Sequence, residues 1–198
     1  SEGGSVEYDS AAEQWTARYV HETIALAFSV TEEAVEDNLY DTLSKRYTAA
    51  LARSMAYTKQ VKAANVLNNG FSSSYVGGDG KALMTTDHPT LEAGDLSNEP
   101  ATAADLSETS LESAIISIGG FVDDRNVPVA VNARKLIIPK DLAFTAQRIL
   151  KSDLRVGTAD NDTNAMRSMN ILPQGYAVNH YLTDTDAWFI LTDMVNSG

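Results

Sequence analysis

The sequence predicts an α+β chain organised around one unusually long helix, and three observations carry that prediction. Between Thr31 and Leu67 apolar residues recur every three or four positions, with no Pro or Gly to interrupt them. From Leu106 onward, short helical and strand-like patterns alternate. Between these halves, Phe71–Asp105 is rich in Gly, Ser, Thr and Asp and shows little periodicity, as a long loop region would.

In chain order, Ser5–Tyr8 and Trp15–Phe28 read as extended, because Trp15, Ala17 and Tyr19 alternate with Thr16, Arg18 and Val20. A hairpin arm fits this pattern, and a short helix over Thr23–Ser29 fits equally well. The long helix follows. Ser29 with Glu32 three residues later fits a capping box, and Thr31 competes as the N-cap. Glu32, Glu33, Glu36 and Asp37 load its first turns, where the helix dipole favours negative charge. Leu39, Leu43, Tyr47, Ala50, Leu51, Met55, Thr58, Val61 and Leu67 form the apolar series, and Asn68-Asn69-Gly70 stops it. The bases are expected in the second half of the helix. A single helix of roughly 35 residues would be about 50 Å long, whereas a compact globule of this chain length is only about 40 Å across. An elongated subunit that needs neighbours is the expectation.

Tyr75–Gly80 is a turn signal. Leu111, Ala114, Ile115, Ile118 and Val122 predict a helix ending near Gly119-Gly120, and Asp123–Asn126 a turn. Arg134–Pro139 reads as an apolar strand. Pro139 then opens a helix whose inner face is Leu142, Ala143, Ala146, Ile149 and Leu150. Ser152–Asn170 reads as a polar loop. Ala177–Tyr181 and Ala187–Thr192 read as two strands around the turn Thr183–Asp186.

Composition narrows the function. The 198 residues suit one large domain or two small ones, and the chain has no cysteine, so disulfides, thiolate metal sites and a cysteine nucleophile are excluded. Mean hydropathy is −0.20 and no apolar run approaches the length of a membrane span. The net charge of −12 argues against a dedicated nucleic-acid binder, which needs a surplus of Lys and Arg. The first twenty residues are acidic and lack the apolar segment of a signal peptide. The chain starts at Ser1 rather than Met and stops just after a strand-like run, which suggests the ordered or processed part of a longer subunit. Charge is blocked: residues 1–44 carry ten acids and one base, whereas 45–62 carry Lys45, Arg46, Arg53, Lys59 and Lys62 and no acid. Residues 79–124 are acidic again, opposed only by Lys81.

Each candidate site falls short of its chemistry. Asp79-Gly80-Lys81 resembles a phosphate loop, but Tyr75 and Ala82 stand where that pattern needs Gly and Ser or Thr. Asp160-Asn161-Asp162-Thr163-Asn164 has the opening spacing of a calcium loop, but Ala165 and Ile171 replace its Gly and Glu. His21, His88 and His180 show no metal-ligand spacing. Asp87-His88-Pro89 invites a serine-hydrolase reading, yet no Gly-x-Ser-x-Gly elbow is present. The Lys45–Lys62 run is either a nucleic-acid face or a partner for the chain's own acidic blocks in a neighbouring copy. Trp15 and Trp188 read as core or interface aromatics. No catalytic, cofactor-binding or metal residue is assigned, and a structural protein is expected.

Certain words of the sequence also recur in a known order. Glu22-Thr23-Ile24-Ala25 leads to the acid-led helix ending in Val66-Leu67-Asn68-Asn69-Gly70-Phe71. Asp79-Gly80-Lys81-Ala82-Leu83, Asp87-His88-Pro89, Leu136-Ile137-Ile138-Pro139, Asn161-Asp162-Thr163-Asn164 and Tyr181–Phe189 follow. From about residue 20 to 192 this succession resembles the major capsid (head) proteins of tailed bacteriophages, in particular the Mu-like major head subunit group. The resemblance implies the Hong Kong 97-like capsid fold, with an extended arm and E-loop, a long spine helix, a P-domain and an α+β A-domain. Residues 1–30 would be the E-loop return or arm, 31–105 the P-domain with spine helix 31–67, and 106–192 mainly the A-domain. Residues 193–198 would be the end of the visible chain.

The implied role is a non-enzymatic, virion subunit that assembles in the host bacterial cytoplasm. As a homo-oligomer it would form the pentamers and hexamers of an icosahedral shell around double-stranded DNA. Portal, scaffold or decoration proteins are its implied further partners, and a membrane is not among them. Net negative charge would let a shell confine DNA without gripping it. Relatives that crosslink through an E-loop lysine have no counterpart here, because residues 1–44 contain no lysine, so cohesion is expected to be non-covalent. The alternatives are an encapsulin-like nanocompartment shell and a small Ser/His hydrolase using His88.

Overall fold

The computed structural model describes residues 15–18, 20–37, 40–155 and 162–194. Its architecture is α+β with two small sheets. The helices are α1 (Glu32–Glu36), α2 (Tyr40–Asn68), α3 (Glu108–Gly119), α4 (Ala143–Lys151) and α5 (Ala165–Ser168). The strands are β1 (His88–Pro89), β2 (Asp95–Leu96), β3 (Ala133–Ile138), β4 (Tyr176–Val178) and β5 (Phe189–Thr192).

The core belongs to the second half of the chain. Its most enclosed side chains include Leu111 of α3, Leu136 and Ile138 of β3, Ala146 of α4 and Met166 of α5. Helix α3 starts where Ser107 and Ser110 cap one another reciprocally, and it buries Leu111 and Ile118, seven positions apart. Strand β3 runs into the buried Pro139, a single 3-10 turn follows at Lys140–Leu142, and α4 then turns Ala146 and Leu150 inward. These three elements match the sequence expectation closely.

The sheet order does not. Strands β4 and β5 do not pair across the Thr183–Asp186 turn; they flank β3 in the order β4-β3-β5. Strand β4 runs parallel to β3, with Leu136 opposite Tyr176, and β5 runs antiparallel, with Leu136 opposite Ile190. The central strand is the longest of the three and the most buried, with Ala133, Leu136 and Ile138 enclosed, so both neighbours cover more of the core by pairing with it than with each other. The supposed loop 152–170 also holds structure: a bridge between Leu154 and Thr163, then α5.

The long helix is divided. Thr31, rather than Ser29, occupies the N-cap of α1, and its side chain makes no capping bond. After Glu36 the backbone turns at Asp37, and α2 begins at Tyr40; Asn38 and Leu39 lie outside the described residues. Asp and Asn are poor helix formers because their side chains compete for nearby backbone groups, so an Asp-Asn pair is a natural breaking point. Helix α2 still has 29 residues, about 43 Å at about 1.5 Å each. It ends where Asn68-Asn69-Gly70 indicated. Its bases are spread along it rather than gathered in the second half, with Lys45, Arg46 and Arg53 in the first half and Lys59 and Lys62 in the second, and its last turn has none.

Helix α2 contributes little to the core: among its described apolar side chains only Ala64 is buried. Its C-terminal end is fastened to the sheet unit. Asn68 donates to the Tyr181 carbonyl (3.1 Å) and accepts from the Thr183 amide (3.0 Å). Tyr57 meets Tyr181 edge-on at 5.7 Å, and Phe71 stacks on Phe189 at 5.9 Å.

Residues 15–18 and 20–31 form neither the expected hairpin arm nor a helix; Ser5–Tyr8 falls outside the described residues. The 20–31 stretch lies along α2, with Phe28 against Tyr47 (5.6 Å) and Glu22 paired to Lys62 (2.5 Å). The Thr16-Ala17 backbone passes so close to Gly78 that a Cβ there would sit 3.0 Å from Thr16. A side chain at Gly78 would push the crossing backbone away by a few tenths of an ångström, so glycine suits the position.

Candidate functional site

The densest cluster of polar side chains outside the core lies where the 76–82 turn meets the β1–β2 hairpin. Val76 bridges to Ala82, and Gly80 takes a left-handed conformation (φ +77°) that closes the turn. The turn brings Asp79 back onto β1, where its carboxylate lies 2.6 Å from His88 Nδ1 and accepts from the Lys81 amide at 3.1 Å. Burial disfavours the Asp79 carboxylate, but the His88 and Lys81 hydrogen bonds outweigh it and hold the carboxyl below its ordinary value.

Asp87 turns away from His88 and pairs instead with Lys81 Nζ and, at 2.5 Å, with Thr85 Oγ1. The Lys81 hydrogen bond, then that of Thr85, lowers the Asp87 carboxyl, and Asp87 in turn raises the Lys81 ammonium. A groove of about 370 Å³ opens beside this pair, lined by Phe71, Val76, Met84 and Thr85 among others.

This arrangement has neither of the chemistries weighed for it. A phosphate cradle needs free donors, but Lys81 is neutralised by Asp87 and the turn presents Asp79. A hydrolase needs a nucleophile at the far nitrogen of the histidine. His88 Nε2 is buried and, among the described residues, has no hydrogen-bond partner. The Asp79–His88 pair was not foreseen, since nine residues and a glycine-rich turn separate the two. The adjacency of Asp87 pointed to the wrong acid.

The other candidates disperse. His21 and His180 are both exposed and remote in sequence from His88, and no group of three His, Cys, Asp or Glu among the described residues is arranged to hold a metal. Asp160 and Asn161 lie outside the described residues. Asn164, the last oxygen donor of the supposed calcium loop, is 3% exposed and fully committed. It donates to the Ile149 and Ser152 carbonyls and caps α5 by accepting from the Arg167 amide. Trp15 is half exposed, whereas Trp188 packs on the core and donates to the Ala104 carbonyl.

What remains is the surface. Trp15, Val20, Leu26 and Phe28 of the N-terminal segment and Tyr47, Tyr57 and Val66 of α2 are all exposed. An extended apolar surface of this kind marks an interaction face. Residues 15–197 match a family model described as phage capsid protein. The chain belongs to that family. No curated protein and no solved structure gives a match.

As a phage capsid protein it is a structural component of the virion, built to associate with further copies of itself. Among the described residues of the capsid subunit, no helix is long and apolar enough to cross a membrane. The charges on α2 lie at its surface: Lys45 pairs with Asp41 and Lys62 with Glu22, while Arg46, Arg53 and Lys59 are exposed.

Proposed function

We propose that this capsid protein is a Hong Kong 97-type major head subunit, related to the Mu-like group. It builds the hexamers and pentamers of an icosahedral shell around double-stranded DNA and has no enzymatic role. In this reading residues 1–30 form the arm, 31–105 a peripheral domain with the long helix, and 106–192 mainly the domain at the capsomer centre. Assembly takes place in the host cytoplasm, with portal, scaffold or decoration proteins as accessory partners. Cohesion is non-covalent.

The observation that supports this reading best is uncovered surface. The chain exposes 14619 Å², whereas a compact monomer of its mass exposes about 9,100 Å². The 29-residue helix α2 is part of it: among its described apolar side chains only Ala64 is buried. A chain so open gains its stability from neighbours, and many modest contacts repeated around a ring sum to a durable shell.

Negative-stain microscopy of the purified full chain tests the proposal. Rings or closed shells are expected, and a strictly monomeric protein at every concentration would refute it. Shells that enclose protein instead of DNA would favour the nanocompartment alternative. The hydrolase alternative would have to act through the Asp79–His88 pair; a hydrolytic activity abolished by His88→Ala would establish it.

A further inference from the structure

Along α2, Arg46 and Arg53 are seven residues apart, so they share one side of the helix within about 20° and about 10 Å. Tyr57 and Ala64 continue the same side toward the C-terminus. There the side is occupied: Ala64 is buried and Tyr57 packs on Tyr181. Farther toward the N-terminus it carries Ala50 between the two arginines, and all three residues are exposed. The opposite side is the one that Lys62 and Tyr47 turn toward Glu22 and Phe28. Neither Arg46 nor Arg53 forms an ion pair with another described residue, in contrast to Lys45 and Lys62.

The complementary charge sits at the other end of the same helix. Asn68 holds the Thr183 amide, and Asp184 and Asp186 follow directly in an exposed turn. The Asp184 carboxylate accepts from the Asp186 amide at 3.3 Å, which folds the two acids together, and the Trp188–Ala104 hydrogen bond brings Asp105 alongside. The side-chain interaction between the two acids holds Asp184 below and Asp186 above the ordinary carboxyl value, as crowded like charges do, and among the described residues neither forms a salt bridge. The acids of α1 are in a different position, since the dipole at a helix N-terminus already favours them. The arginine pair and the aspartate turn are 15 to 22 residues apart along α2 by sequence number. At about 1.5 Å per residue that is roughly 20–35 Å, well beyond the screening length of about 8 Å. They cannot meet within one molecule.

Resting on the assembly proposed above, we infer that the Arg46–Arg53 face of α2 docks onto the Asp105/Asp184/Asp186 turn of a second copy of this chain. Two different patches join, so the contact is head-to-tail and generates a ring or a continuing lattice rather than a closed two-fold dimer. Guanidinium groups suit carboxylate clusters because their planar donors bind two oxygens at once.

Charge reversal tests this. The chain carrying Arg46→Glu and Arg53→Glu, and separately the chain carrying Asp184→Lys and Asp186→Lys, should each lose assembled material by about tenfold or more at about 0.15 M salt. Each should keep the circular dichroism spectrum of the parent. Mixed in equal amounts, the two reversed chains should assemble together, because each supplies the charge that the other lacks. Asp184→Asn with Asp186→Asn provides a milder second variant, expected to weaken assembly without inverting charge. If the parent assembles and either reversed chain assembles equally well, this contact is overturned while the capsid reading stands. Failure of the mixture to recover overturns it as well. A parent that never assembles removes both.

Discussion

Asp193 shows how one side chain fixes the edge of the sheet unit. Its carboxylate accepts from the Asn132 amide at 2.7 Å and pairs with Arg134 Nη2 at 2.6 Å, tying the end of β5 to the start of β3. The Asn132 amide bond is the main reason its pKa falls from 3.8 to about 2; desolvation, the next-largest contribution, opposes it, and the Asn132 side chain and Arg134 add to the lowering. Because the folded value lies below the unfolded one, this stabilisation is complete above about pH 4 and vanishes as the pH falls through about 2. Asp193→Asn keeps the shape but removes the charge. Urea midpoints measured between pH 2 and 4 should therefore vary less with pH in the variant than in the parent. Asn164 makes a different point about legibility. Its residue type and spacing suggested a cation ligand, but only the fold reveals that both ends of its amide are already used by Ile149, Ser152 and Arg167. A side chain's chemistry is written in the sequence; whether it is free to act is not.

At the scale of elements, burial decided what could be read in advance. Helices α3 and α4 and strand β3 were legible because their apolar spacing reflects real contact with a core. The series on α2 looked equally regular yet fills no core in the subunit, and the break at Asp37 turned on two polar residues inside that pattern. The β4-β3-β5 order was hidden for another reason. A turn between two strand-like runs suggests a hairpin, and nothing local records that a longer, more deeply buried strand about 40 residues earlier competes for both. The contrast between β3 and α2 makes a prediction. Leu136→Ala, at a fully buried site on the central strand, should cost about 2–5 kcal/mol in chemical denaturation. Val66→Ala on α2, at a side chain 59% exposed, should change the free subunit by no more than about 0.5 kcal/mol.

For the molecule as a whole, stability is unevenly distributed: a packed α+β unit holds one end of a long, sparsely covered helix. Hydrogen exchange should register this directly. In the free subunit the amides of the first four turns of α2 should exchange much faster than those of β3. In assembled particles the α2 amides should slow toward the β3 value. Equal protection of α2 before and after assembly would contradict a role for that helix between subunits. The three-stranded sheet has a further consequence. Its outer strands are only three and four residues long, too short to offer an attractive ladder of unpaired amides and carbonyls. A protein accumulating to high concentration risks recruiting copies by strand addition, which has no preferred stopping point and produces fibres. Clipped sheet edges close that route, leaving growth to side-chain contacts, which can select an angle and which remain weak enough for a misplaced copy to leave.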